Sequence, residues 1–149
     1  MASTMPTLDI QSVDELEDIV SEVLNKLQER GHANTIALAG ELGAGKTTFT
    51  QLLAKKLGVK ERVTSPTFLI MRRYATTNTR FKTLVHIDAY RIEDEREIEV
   101  LHIPELFTAE DTLVCIEWPE RIPNIVPKDA YCISMDLHND GTRTVTYGD

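Results

Sequence analysis

Residues Gly40 to Thr47 read GELGAGKT: a glycine, four free positions, then glycine, lysine and a hydroxyl residue, the pattern that cradles nucleotide phosphates. Wrapping a β-phosphate in main-chain N–H groups requires close approach of the backbone, and Gly40, Gly43 and Gly45 have no side chain to block it. Lys46 is placed to reach the β- and γ-phosphates as a compact cation. The Thr47 hydroxyl suits a Mg²⁺ ion bridging the same two groups. A Gly-rich turn could match by chance, so context decides. The apolar, β-branched run Thr35 to Ala39 precedes the loop, and Phe49, Leu52, Leu53 and Leu57 follow it at helical spacing before Gly58. That is the strand, loop and helix order the motif needs.

A phosphate loop alone only binds. Hydrolysis or transfer also needs an acidic residue near the metal and something to orient the attacking group. Two apolar runs end in such a residue, Leu84 to Asp88 and Leu113 to Glu117. Both carboxylates can face a metal from the carboxyl end of a strand, one holding it and one positioning water, and spacing does not say which does which. His86 alternates with its strand and reads either as a half-buried core histidine or as part of the mechanism. Trp118, the sole tryptophan, packs either near the nucleotide or in the core. Ser65-Pro66-Thr67 is either a turn before a strand or a segment that senses the γ-phosphate. The Asn/Thr-Lys-x-Asp signature of guanine binding does not occur, which favours adenine.

The elements that must carry these residues follow from periodicity. Thr7 to Ile10 reads as a short strand. Ser12 and Glu15 resemble a capping box ahead of a helix with the apolar stripe Val13, Leu16, Ile19, Val20, Val23, Leu24 and Leu27. Thr67 to Tyr74 and Phe81 to Asp88 are expected strands about a turn at Asn78, and Glu93 to Leu101 a short charged helix closed by Pro104. Thr112 to Glu117 is a strongly apolar strand, whereas Pro119, Pro123 and Pro127 keep the next stretch irregular. Ala130 to Leu137 and Thr142 to Tyr147 alternate around Asn139-Asp140-Gly141, a hairpin signal. The expected fold class is α/β: a central mixed sheet, parallel near the phosphate loop and antiparallel toward its edges, with helices on both faces.

With 149 residues, 42% of them hydrophobic, one domain with a single core is expected. No stretch has the apolar length of a membrane span and Met1 to Thr7 lacks the features of a secretory signal, so the expected address is the cytoplasm. Cys115 and Cys132 lie in apolar, strand-like runs and are expected to be small buried hydrophobes without disulfide, metal or catalytic role. The net charge of −8 argues against indiscriminate binding to DNA or another polyphosphate chain. Its distribution is uneven. Lys46 to Lys82 holds nine basic residues against Glu61 alone, and Thr83 to Glu120 holds eleven acids against Arg91 and Arg96. These are either solvated faces that neutralise each other or a basic face for RNA phosphates or an acidic partner.

Taken in series, GELGAGKTT at Gly40 to Thr48, SPTF at Ser65 to Phe68, HIDAYR at His86 to Arg91 and IEWPER at Ile116 to Arg121 resemble one family, the small bacterial ATPase TsaE. The resemblance extends over nearly the whole chain, residues 1–149. It implies a P-loop NTPase three-layer sandwich that binds ATP with Mg²⁺ and serves the complex that installs threonylcarbamoyl on adenosine beside the anticodon of tRNAs reading codons that begin with A. It implies two partners, TsaD, which transfers the group, and TsaB, its structural relative, with tRNA met only through the complex. ATP hydrolysis would be weak alone, stimulated by the partners, and would reset the complex between turnovers. By the same resemblance Gly40, Gly43, Ala44, Gly45, Lys46, Thr47 and Thr48 bind phosphates, and Thr47 with Glu117 is the metal pair. Asp88 supports hydrolysis from a second switch, Ser65 to Phe68 form the first, and Trp118 sits close to the nucleotide. The segment around Gln11 and Ser12 and the hairpin at Arg143 are the places the family pattern suggests for adenine. The chain departs from the pattern at Ala89, where leucine is usual, and at Ile122, where a small residue is usual. A small-molecule kinase and a non-hydrolysing nucleotide-binding module are the competing readings.

Overall fold

Ser12 starts the first helix as its type suggests: its Oγ accepts the Glu15 N–H at 3.3 Å, and the Glu15 carboxylate reaches back to the Gln11 N–H at 3.1 Å. The computed structural model describes residues 6–30, 34–41, 43–64, 70–99, 101 and 103–148. Helix α1, Val13–Arg30, buries Leu16, Ile19, Val20, Val23, Leu24 and Leu27, spaced to fall on one face. Val13, expected at the head of that stripe, is exposed, because it stands in the first turn ahead of the core. Helix α2, Lys46–Lys56, buries Phe49, Thr50, Leu53 and Ala54 and packs against α1, where Lys56 meets Glu17 at 3.4 Å.

Both helices cover one face of a seven-stranded sheet. Its strands are β1 (Thr7–Ile10), β2 (Thr35–Gly40), β3 (Met71–Ala75), β4 (Thr83–Asp88), β5 (Thr112–Glu117), β6 (Tyr131–Leu137) and β7 (Arg143–Gly148), in the order β1-β7-β6-β2-β5-β4-β3. The central run β6-β2-β5-β4 is parallel, while β3 on one side and β7 with β1 on the other pair antiparallel, the mixed arrangement expected from sequence. Every residue of β5 is buried, as a strand covered on both faces must be. Its Leu113 and Cys115 join the core under α1 and α2, while Val114 and Ile116 join Val85, Ile87, Ile98, Leu106 and Ile122 on the opposite face. That second face is covered by two short helices, α3 (Arg96–Glu99) and α4 (Ile103–Leu106), and by the turns that follow β5.

Several boundaries differ from the sequence reading. The helix expected from Glu93 to Leu101 is only α3, and Pro104 does not close the region. It lies in the first turn of α4, where a missing N–H is tolerated. β4 begins at Thr83 rather than Phe81, because the Asn78 side chain captures the Arg80 and Phe81 N–H groups, each at 2.8 Å, and holds them in the turn. β3 runs from Met71 to Ala75, and the start expected at Thr67 lies outside the described residues. Cys115 is buried, but Cys132 is exposed, since β6 alternates and Cys132 takes the outward position between Tyr131 and Ile133. The hairpin at Asn139-Asp140-Gly141 forms, closed by His138 N–H to Thr142 O at 2.9 Å and Gly141 N–H to His138 O at 3.0 Å. Among the described residues no helix is long and apolar enough to cross a membrane.

Candidate functional site

The phosphate-loop residues connect the carboxyl end of β2 to the amino end of α2, with Leu42 outside the described residues. Two glycines explain why the loop tolerates little else. Gly40 has φ 151°, and a Cβ there would stand 2.5 Å from the Met135 carbonyl oxygen of β6, a backbone atom that cannot swing aside. Gly45 has φ 107° and caps α2; a Cβ there would lie 3.1 Å from Met135 Cε and 3.4 Å from Arg143 Nε. Ala44 between them is fully buried, and its N–H donates to Glu41 O at 3.1 Å. Gly43 is exposed, while Thr47 and Thr48 are half-buried in the first turn of α2. That first turn contains no acidic side chain, so the positive end of the helix dipole has no carboxylate of its own against it.

Lys46 is the most informative residue. It is 5% exposed, and its Nζ, although buried, has no hydrogen-bond partner among the described residues. The ammonium lies 3.7 Å from the centre of the Trp118 ring. Burial pushes its pKa below that of an ordinary lysine, against the pull of Glu117, Asp88 and Glu120, whose carboxylates act on it from nearby. A buried cation with three donors and no acceptor fits an anionic group in the glycine-lined cradle.

The carboxylates come from neighbouring strands. Asp88 and Glu117 are register partners at the carboxyl ends of β4 and β5, and Glu117 is also opposite Leu38 of β2. Glu117 is 4% exposed, and its Oε2 is hydrogen-bonded to His86 Nε2 at 2.5 Å. His86 is therefore completely buried rather than half-buried, and it touches a site residue. Asp88 is half-buried and accepts the Tyr90 N–H at 3.0 Å, which turns the chain after β4. Trp118, directly after Glu117, has φ 59° and ψ 50°, a left-handed conformation that disfavours a side chain. The turn aims its ring at Lys46 on one side and at Tyr90 on the other, with ring centroids 4.9 Å apart. Arg121 stands over Tyr90 at 5.7 Å.

The structure thus brings together Gly40, Gly45, Lys46, Asp88, Glu117 and Trp118, while Ser65 and the rest of the first-switch segment lie outside the described residues. Arg143 lies beside Gly45 of the loop, and Gln11 and Ser12 follow Ile10 of β1, which pairs with Arg143. Tyr90, Glu120 and Arg121 were not singled out from sequence; their nearness to Asp88 and Trp118 along the chain was the available signal. Among the described residues no three His, Cys, Asp or Glu side chains form a metal cage. A divalent ion here would take its protein oxygen donors from among Thr47, Asp88 and Glu117, hard oxygen ligands that suit Mg²⁺.

A glycine loop between a parallel strand and a helix amino terminus, with a buried lysine and strand-end carboxylates, defines the P-loop NTPase class of fold. Within that class, the family model described as "Threonylcarbamoyl adenosine biosynthesis protein TsaE" matches residues 10–145. The chain belongs to the TsaE family. It is similar to the tRNA threonylcarbamoyladenosine biosynthesis protein TsaE of Haemophilus influenzae, with 34% identity over 80% of this chain and 73% of that one. The Bacillus subtilis protein of the same name is 37% identical over 76% of this chain and 68% of its own. For that of Treponema pallidum the identity is 36%, over 83% and 87%. Among solved structures, that of Bacillus subtilis YdiB superposes with a TM-score of 0.67 at 25% identity, covering 98% of this chain and 87% of that one.

Proposed function

We propose that the 149 residues act as one P-loop ATPase domain that binds ATP with Mg²⁺ and hydrolyses it in the service of tRNA threonylcarbamoyladenosine synthesis in the cytoplasm. The observation that carries this reading is the buried Lys46 ammonium beside the glycine loop, without a hydrogen-bond partner among the described residues and with two strand-end carboxylates acting on it. The relatives' names supply the pathway. Lys46 and the loop amides hold the β- and γ-phosphates. Thr47 and Glu117 would hold the Mg²⁺, and the ion would supply stabilisation of negative charge on the phosphates. Asp88 orients the attacking water, and Trp118 shields the Lys46 ammonium from solvent. Adenine lies toward Arg143 and the segment after β1, and Ser65 contacts the nucleotide.

Two partners, TsaD and TsaB, complete the activity: hydrolysis is slow alone, rises in their presence and resets the complex, and tRNA is met only through it. Phosphate release from ATP and Mg²⁺, followed with and without the two partners, tests this. Stimulation confined to the mixture is the expected result, and transfer to a metabolite would replace the reading with a kinase. Glu117→Gln and Asp88→Asn are expected to keep nucleotide binding and to lower turnover by about two orders of magnitude or more. Undiminished turnover in both would remove the assigned roles.

A further inference from the structure

His86 has no part in the scheme above, yet it is completely buried and its Nε2 lies 2.5 Å from Glu117 Oε2. β4 and β5 place it there. His86 is opposite Cys115, two residues before the Asp88 and Glu117 pair, so its ring reaches along the sheet to the Glu117 carboxylate. A ring N–H at Nε2 donating to the carboxylate is the arrangement that satisfies both atoms of this contact. Nδ1 is also buried and has no hydrogen-bond partner among the described residues, so the contact with Glu117 is the one that orients the ring. The hydrogen bond occupies Oε2. The other oxygen, Oε1, takes no part in that contact.

We infer that His86 is a positioning residue for the metal. By binding Oε2 it would hold the Glu117 carboxylate in one orientation and leave Oε1 for a divalent ion. This rests on the proposed role of Glu117 as metal ligand. Outer groups that orient a metal ligand typically change metal affinity 10–100-fold when removed. His86 would act in the same way through the carboxylate, without touching metal or nucleotide.

The test reads metal binding rather than turnover. Mn²⁺ is titrated into the protein with ADP, and the free ion is followed by electron paramagnetic resonance. ADP binding in EDTA is measured in parallel, through emission of Trp118. His86→Leu is expected to bind metal-free ADP as the wild type does and to hold Mn²⁺ about 10–100-fold more weakly. Should His86→Leu fail to fold, His86→Gln and His86→Asn carry the comparison. The Gln amide reaches the position of Nε2 and is expected to restore affinity, whereas the shorter Asn reaches only that of Nδ1 and is not. Wild-type Mn²⁺ affinity in His86→Leu, or equal affinity in the Gln and Asn variants, overturns the inference. Failure of the underlying reading looks different: Glu117→Gln would then hold Mn²⁺ as tightly as the wild type.

Discussion

Lys46 sets binding against stability. Its ammonium is buried without an acceptor among the described residues, and desolvation outweighs the nearby carboxylates, so the pKa falls below the usual 10.5. Between the lowered value and 10.5 the unfolded chain binds more protons than the native one. Stability owed to this group therefore rises with pH through that window and is least below it. Lys46→Met keeps the length of the side chain and removes the buried charge. The variant is expected to lose nucleotide binding in calorimetry, yet to melt about 2–4 °C higher than the wild type at pH 7 without nucleotide, a gain on the order of 1 kcal/mol. A lower melting temperature would mean that the ring of Trp118 and the carboxylates satisfy the ammonium. The lysine, the glycines and both strand-end acids were legible from residue type and spacing. The His86 contact was not, because a histidine alternating in a strand looks the same whether it faces core or carboxylate, and the partner lies 31 positions away.

At the scale of elements, periodicity located α1, α2 and the central strands because each buries a face that the pattern marks, as Leu16 to Leu27 do. It misplaced the ends where a side chain competed with the ladder, as Asn78 does before β4, and where a proline could serve either to stop or to start a helix, as Pro104 does. The loop's joint with the sheet is tighter than any local pattern shows. Gly40 lies against the backbone of β6, a strand about a hundred residues later in the chain, and the spacing of the motif says nothing of that contact. Gly40→Ala meets both an unfavourable φ and a 2.5 Å approach to the Met135 carbonyl. The expected loss is about 3 kcal/mol or more in urea unfolding, together with weaker nucleotide binding as the loop shifts. A loss under about 1 kcal/mol would show that β6 moves readily away from the loop.

For the whole molecule, charged side chains of the basic window find partners far away in the sequence. Lys56 meets Glu17, and Arg80 donates to the backbone carbonyl of Glu110, pairings across 39 and 30 positions that composition cannot show. Stability toward alkali is set instead by acids buried in neutral form in the core between the helices and the sheet. Burial raises the Cys115 thiol from 9.0 to about 12, and burial together with the hydrogen bond to Glu22 raises the Tyr147 hydroxyl from 10.0 to about 12. Both native values lie above the unfolded ones, so the stability these groups contribute is complete below about pH 9 and is lost as pH climbs toward about 12. Each group titrating only in the unfolded chain lowers stability by about 1.4 kcal/mol per pH unit within its window. The urea midpoint is therefore expected to fall steeply between pH 9 and 11 in the wild type. In the double variant Cys115→Ala, Tyr147→Phe it should fall much less, even though its midpoint at pH 7 is lower because core volume and a hydrogen bond are missing. Parallel slopes for the two proteins would place the alkaline sensitivity elsewhere, with Tyr131, whose pKa burial also raises, as the next group to replace.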